Sequence, residues 1–420
     1  MLLFEVELLL HRYLEIRYLV PGDPEEGQRA MALLDEFDHR QPDRYGILSA
    51  RFEVLLANPT RLDEAGAALD RLARRDPDSP TTHLRRARLH YERKDLEAAR
   101  HELDAAARLG PQSWRTLYQR ALVFKALGDH GSARAALDQL LERSPGNYRG
   151  LSLLAGEQLR AGQPACAAEI YAQLVAREPL HDECFGLGRA RMQIRSYREA
   201  AAGFRCALAA RSDDSEARLG LAEALLLAGD PDTARDQLRD LRAWLDRKRL
   251  EAPSGALTRR DAAVEARTLG YLGAQDPATA AAARARVDSL LADGRQFPTA
   301  LPGALRTAAL VHASLGDREL ATRYAAQYLD GKNSPGDLAY PWFDDLLHDP
   351  VLGPRLAVPG TCAASPARGQ DWLRTRSLTP GDIMDLWGDR PDGAALRRNF
   401  LAVDRGREPA VSQGNLGDWP

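Results

Sequence analysis

The side chains of this sequence with the strongest chemical potential are few and scattered. His83 and His90 stand seven residues apart, a spacing that puts two imidazoles on one face of a helix and would suit a metal ion. No third ligand stands at a matching distance, and neither HExxH nor a CxxC pair occurs anywhere in the chain. His181-Asp182-Glu183-Cys184 groups a base, two acids and a thiol, the set that an activated cysteine would need. Consecutive helix residues point in different directions, however, and acids at a helix start are what its dipole favours. Asp344-Asp345 fails as a carboxylate pair because sequence neighbours do not converge on one substrate atom, so both are expected to face solvent. Cys166, Cys184, Cys206 and Cys362 have no metal-ligand spacing, and three of the four fall at helical positions where Cys serves as a small apolar residue. They imply no disulfide framework. With no GxxxxGK loop either, the chain is expected to be no enzyme and to carry no cofactor and no metal.

Composition narrows the class further. The chain has 420 residues, 28% charged and 44% hydrophobic, with a net charge of −3. These are the proportions of a globular protein, and the near balance of charge gives no basic face for nucleic acid. The densest basic run, Arg242 to Arg249, is interrupted by Trp244 and Asp246 and reads as a solvated helix face. Met1 to Val20 is interrupted by Glu5, Glu7, Arg12, Glu15 and Arg17, which makes it an amphipathic helix and not a signal peptide. No stretch of about 18 uninterrupted apolar residues exists, so no membrane span is expected and the expected location is cytoplasmic.

What organises the sequence is repetition. From Ala121, Ala133 and Pro145, a step of 34 residues forward finds Ala155, Ala167 and Pro179, and the same step back finds Ala87, Ala99 and Pro111. Three triplets in register mark an internal repeat of one structural unit. Clear copies start at Pro80, Trp114, Tyr148, His181 and Ser215. Each holds a helix of about fourteen residues, a turn such as Gly128-Asp129, Gly162 or Gly229-Asp230, and a second helix. The small residues Ala87, Ala121, Ala155, Gly188 and Ala222 in the first helix, and Ala99, Ala133, Ala167, Ala200 and Ala234 opening the second, fall where the two must approach closely.

These units resemble the tetratricopeptide repeat of bacterial-type arrays. The best match is His181 to Asp214, where Leu187-Gly188, Ala190, Tyr197, Glu199-Ala200, Phe204 and Ala207-Leu208 sit where that family places such residues, with Ser212 in place of the terminal Pro. The resemblance covers about Asp43 to Trp244. It implies an all-α, right-handed superhelix (α-solenoid) of helix pairs that binds protein or peptide partners.

Four segments are expected: a degenerate N-terminal helical pair at 1–42, the array at 43–251, degenerate repeat-like helices with an aromatic cap at 252–357, and a partly ordered tail at 358–420. A small insertion falls near Asn58-Pro59-Thr60, and the helix from Asp232 to about Glu251 is overlong. Tyr340 to Pro350 is similar to a closing element in which a Trp or Phe docks on the last helix pair. Trp372, Trp387 and Phe400 suggest that part of the tail docks as well.

In proteins similar to this one, the second, fifth, ninth, twelfth and thirteenth residues of each copy line a concave groove. Here those positions include Arg88 and Tyr91, then Arg115, Tyr118 and Lys125, then Arg149 and Arg160, then Phe185 and Arg189. The fifth copy supplies Glu216 and Glu223 instead. These residues are the expected peptide-binding groove, and the expected partner is a protein or peptide with an acidic or aromatic segment lying toward the early copies. A chaperone carboxylate-clamp partner is not expected, because the fifth and ninth positions read Leu84/Arg88, Tyr118/Leu122 and Ser152/Gly156 where the clamp needs Lys and Asn. The resulting expectation is a non-catalytic scaffold or adaptor. Its alternative is a sensory or regulatory array working with a bacterial Ser/Thr kinase or a transcription regulator.

Overall fold

A computed structural model describes residues 31–357 apart from 33, 37, 40–44, 75, 110–112 and 332. The expected first helix at 2–19 and the tail from 358, with Cys362, Trp372, Trp387 and Phe400, lie outside the described residues. Among the described residues every regular element is helical. Residues 31–39 are helical where described, with Met31 and Leu34 buried.

Pairs then follow one another: α1 (Tyr45–Leu56) with α2 (Leu62–Ala73), α3 (Pro80–Glu92) with α4 (Leu96–Leu109), and α5 (Trp114–Ala126) with α6 (His130–Arg143). Next come α7 (Tyr148–Arg160) with α8 (Pro164–Arg177), α9 (His181–Gln193) with α10 (Tyr197–Ala210), and α11 (Ser215–Leu227) with α12 (Pro231–Glu251). The series ends with α13 (Arg259–Gly273) and α14 (Pro277–Gln296), then α15 (Leu301–Ser314) and α16 (Arg318–Asp330). Each helix packs on its partner and on the next in line, the all-α solenoid of helix pairs that the period implies. The expected insertion is a short 3₁₀ turn, Pro59–Arg61, whose first amides are held by Asn58.

Local chemistry sets these boundaries. Ser79, Ser113 and Asn147 accept from the backbone N–H of Thr82, Thr116 and Gly150, capping α3, α5 and α7. Pro80, Pro164, Pro231 and Pro277 open helices, where a missing N–H goes unnoticed. At the end of α5, Gly128 has φ 78°, which lets the Asp129 N–H reach back to the Phe124 carbonyl at 2.9 Å. Asp129 then caps α6 through Ser132. In two copies the same left-handed turn is made without glycine, by Lys94 (φ 66°) and Arg195 (φ 64°).

The small residues lie where close approach was expected. Ala87, Ala121, Ala155 and Ala222 and their partners Ala99, Ala133, Ala167, Ala200 and Ala234 are all at 0% relative exposure. Contact is close between α9 and α10, where a Cβ on Gly203 would stand 2.7 Å from the Gly188 nitrogen. That approach also corrects the reading of two cysteines. Cys184 and Cys206 are joined as a disulfide, with their Cα atoms 5.6 Å apart, because the close helices bring them together across 22 residues.

Beyond α16 the chain changes character. It runs through a 3₁₀ turn at Pro335–Leu338 and another at Pro341–His348 to the short helix α17 (Gly353–Leu356). Leu338, Tyr340, Phe343, Leu346, Leu352 and Leu356 are buried in one apolar cluster with residues of α9 to α16. The aromatic closing element therefore does more than dock on the last helix pair.

Candidate functional site

The segment Ser334–Asp344, called the strap below, crosses the face formed by the first helices of successive pairs. At its start the Ser334 hydroxyl donates to the Leu159 carbonyl of α7 at 3.2 Å. Asp337 is held next. Its carboxylate accepts from Arg189 at 2.8 Å, from the Tyr328 hydroxyl at 2.9 Å and more distantly from Gln193 at 3.4 Å. Arg306 of α15 donates to the carbonyl of the same residue at 3.2 Å. Tyr340 follows, donating to Glu223 of α11 at 2.9 Å and accepting from Arg267 of α13 at 2.9 Å. The strap ends in a fork, with Arg195 donating through both terminal nitrogens to Asp344.

The sites that hold the strap recur in register. Arg189, Glu223 and Arg267 are the ninth residues of their first helices, Gln193 and Tyr271 the thirteenth, and Leu159 the twelfth. One row of positions along the solenoid thus receives a piece of the same chain, folded as two short 3₁₀ turns. Asp344 and Asp345 both reach solvent, at 42% and 72% side-chain exposure, and each is also paired, Asp344 with Arg195 and Asp345 with Arg318 at 3.1 Å.

Electrostatics follow from burial. Burial opposes ionisation of Asp337, but Arg306, Arg189 and the Tyr328 hydroxyl outweigh it and hold the carboxyl below its ordinary 3.8. Burial and the neighbouring Glu223 push the Tyr340 phenol up to about 12, so it remains a donor. Glu223, 3% exposed, accepts from Arg267 and from the Tyr271 hydroxyl at 2.8 Å as well as from Tyr340. The acid expected to face a partner is therefore satisfied within the chain. Glu216 is engaged too, by Arg260 at 2.7 Å.

The other expected groove residues have varied surroundings. Arg88 makes a fork with Glu53 of α1, at 2.5 and 2.7 Å, and stands 6.0 Å from the Phe52 ring centre. Burial opposes the charge of Glu53, but Arg88, Arg85 and Arg115 together lower its pKa. The Arg115 guanidinium lies over the Trp114 ring at 5.2 Å. Arg160 pairs with Glu157 at 3.0 Å, Lys125 is exposed and Arg149 is half-buried. Tyr91 and Tyr118 pack at the edge of the apolar clusters of their own copies. Phe185 stacks on His181 at 6.0 Å and meets Phe204 edge-on at 5.8 Å, and so supports the inner surface of its repeat.

The chemically suggestive groups have structural partners. His181 is buried between Asp182 at 2.8 Å and Asp214 at 3.1 Å, and His83 bonds Glu102 at 2.6 Å. The basic run after Arg242 is partly paired: Lys248 meets Asp261 at 2.8 Å and Arg249 meets Glu265. Among the described residues, no group of three or more His, Cys, Asp or Glu could hold a metal ion, and no helix is long and apolar enough to cross a membrane.

Several residues of the site escape a reading of the sequence. Glu53 precedes the first clear copy. Arg267 and Tyr271 sit in a helix whose match to the repeat is poor, although counting from Arg259 puts them on the ninth and thirteenth positions. Asp337 and Tyr340 lie in a segment with no period at all.

Comparison with known proteins agrees with the architecture. Sequence profiles of the tetratricopeptide repeat match residues 56–113, 118–181 and 194–251. Among solved structures, the anaphase-promoting-complex hetero-tetramer Cut9–Hcn1 aligns over 73% of this chain and 55% of that one, with a TM-score of 0.51 at 16% identity. The C-terminal part of a repeat-containing protein from Cytophaga hutchinsonii aligns over 60% of this chain and 97% of that one, with a TM-score of 0.40 at 18% identity. YrrB, described as a repeat protein with an unusual peptide-binding site, covers 41% of this chain and 90% of its own, with a TM-score of 0.37 at 16% identity. No curated protein matches the sequence. The period, the paired helices and the matched profiles agree: residues 56–251 form a tetratricopeptide-repeat array.

Proposed function

We propose that this chain is a non-catalytic scaffold that binds a protein partner through an extended or helical segment laid along its concave face. The acidic or aromatic part of that segment lies toward the early copies, where Arg115, Tyr118, Lys125, Arg149 and Arg160 occupy the groove positions. One observation carries the reading. The late half of the same face already receives a segment of this chain, folded as two short 3₁₀ turns, and receives its carboxylate through an arginine at a repeat position. The equivalent surface of the early copies is richer in cations than the part that holds Asp337.

A peptide library displayed against the full chain tests this reading. Acidic peptides with an aromatic residue should be enriched, and the double reversal Arg115→Glu/Arg149→Glu should lower their affinity by about tenfold or more, since hydrogen bonds to charged groups are worth about 1.5–3 kcal/mol each. Circular dichroism of the variant checks that the fold persists. Enrichment without acidic character, or affinity untouched by the reversal, would count against the proposal.

A further inference from the structure

We propose that Arg189, Gln193 and Tyr328, with Arg306 on the adjoining backbone carbonyl, form a carboxylate-receiving site in the groove, filled here by Asp337 as an internal ligand, for which the acidic residue of a bound peptide competes. The inference rests on the reading that this face binds peptide, and it adds a second contact point and a regulator to it.

Three observations lead there. First, donors from separate elements converge on one residue: Arg189 and Gln193 from α9, Arg306 from α15 and Tyr328 from α16. The Asp337 carboxylate takes one donor from nine residues away, Tyr328, and another from 148 residues away, Arg189, which stands at a repeat position of the groove.

Second, the strap has two unlike parts. From Leu338 onward its apolar side chains are buried. From Asn333 to Asp337 it is held by polar contacts, and the Arg189 side chain that bonds Asp337 is 44% exposed. For a peptide to enter, this lip, whose Gly336 is buried against Gln193, lifts away while the apolar root from Leu338 onward stays docked.

Third, the lip ends against the early copies. Ser334 bonds the last turn of α7, and the Pro335 ring lies 3.7 Å from where a Cβ on Gly162 would stand. A peptide running along the early groove toward the later copies therefore meets the lip beside Arg160, which is exposed. Its next acidic side chain can take the place of Asp337 among the same donors.

The probe is a fluorescein-labelled synthetic peptide with the sequence of residues 333–343, followed by anisotropy with the full chain. Wild type should bind it weakly, because the site is filled. Asp337→Ala should bind it about tenfold more tightly, and Asp337→Asn, which keeps the shape of the lip, by a smaller factor. Adding Arg189→Ala and Arg306→Ala to Asp337→Ala should return affinity to the wild-type level, as should replacing the aspartate of the peptide by asparagine. If Asp337→Ala does not fold, Asp337→Asn and hydrogen exchange across 333–338 decide the matter. No gain in affinity together with no faster exchange overturns the inference. So does a gain that survives loss of the peptide carboxylate. If library peptides still depend on Arg115 and Arg149 while Asp337 variants change nothing, the scaffold reading stands and this one falls.

Discussion

The early and late halves of this solenoid share one backbone plan and use it differently. In the copies that begin at Pro80, Trp114 and Tyr148, buried side chains fall into separate small clusters, each belonging to one or two neighbouring pairs. From His181 onward, one large cluster runs through α9 to α16 and includes the strap, with two smaller clusters beside it. The groove positions differ in step. The ninth residues of the early copies are Arg88, Leu122 and Gly156, and those of the late copies are Arg189, Glu223 and Arg267. The contrast shows that helix pairing builds the face, and that a few charged residues on it decide whether the chain fills it from within.

The largest way to break this contrast is at the centre of the strap site. Glu223→Ala leaves Arg267 buried without its acid and removes an acceptor from Tyr271 and Tyr340, which should destabilise the late half by about 3–5 kcal/mol. Hydrogen exchange should show lost protection from α11 to α16 with α3 to α6 unchanged; equal loss in both halves would contradict the division. Tyr340→Ala should act on the same region by a similar amount, about 3–5 kcal/mol, through lost packing.

Gly203→Ala tests close approach instead of charge. Its methyl would press on the Gly188 backbone, and urea unfolding should register a loss of about 1–3 kcal/mol. The same change at Gly131, which meets only the Asp129 side chain, should be tolerated.

Acid should loosen the strap selectively. The Asp337 carboxyl is held below its ordinary 3.8 in the folded state, so its contribution is fully present above that value and is lost as pH falls through the lower native one. Of the groups facing it, burial opposes the charge of the Arg189 guanidinium but the Asp337 charge outweighs it and raises its pKa, and burial and Asp337 raise the Tyr328 phenol, so both keep their charge states through that range. Exchange at 333–338 should therefore rise only in strong acid and stay flat between about pH 5 and 8. A rise near neutrality would point to another group.

The smallest effect lies at a turn of the early half. Lys94 holds a left-handed conformation that disfavours a side chain by roughly 1–2 kcal/mol, partly offset by the greater freedom of glycine when unfolded. Lys94→Gly should raise stability by somewhat less than about 1 kcal/mol, seen as a shift in the denaturation midpoint with unchanged slope.

Much of the fold was legible because repetition is a local signal. Ala87, Ala121 and Ala155 recur every 34 residues, and each is sealed at a helix contact. Gly128, Gly162 and Gly229 marked their turns, whereas Lys94 and Arg195 make the same turn with residues that give no hint of it. The site was less legible for two reasons. The contacts of Asp337 and Tyr340 with α9 and α11 span more than a hundred residues, and a strap of two short 3₁₀ turns leaves no periodic trace. Glu53 and Arg267 sit in helices whose small-residue pattern is degraded, so their place in the row shows only once the helices are counted from their observed starts.

The reach of the strap from α7 to α16 has a mechanical consequence. A solenoid in which each pair touches only its neighbours extends like a spring, coil by coil. Here the early coils keep that freedom, while the later ones are laced together by a cord anchored at Leu159, Glu223 and Arg306. Drawn out from its ends, such a molecule would lengthen smoothly through the first copies and then resist, until the lacing parts and the remaining coils yield together.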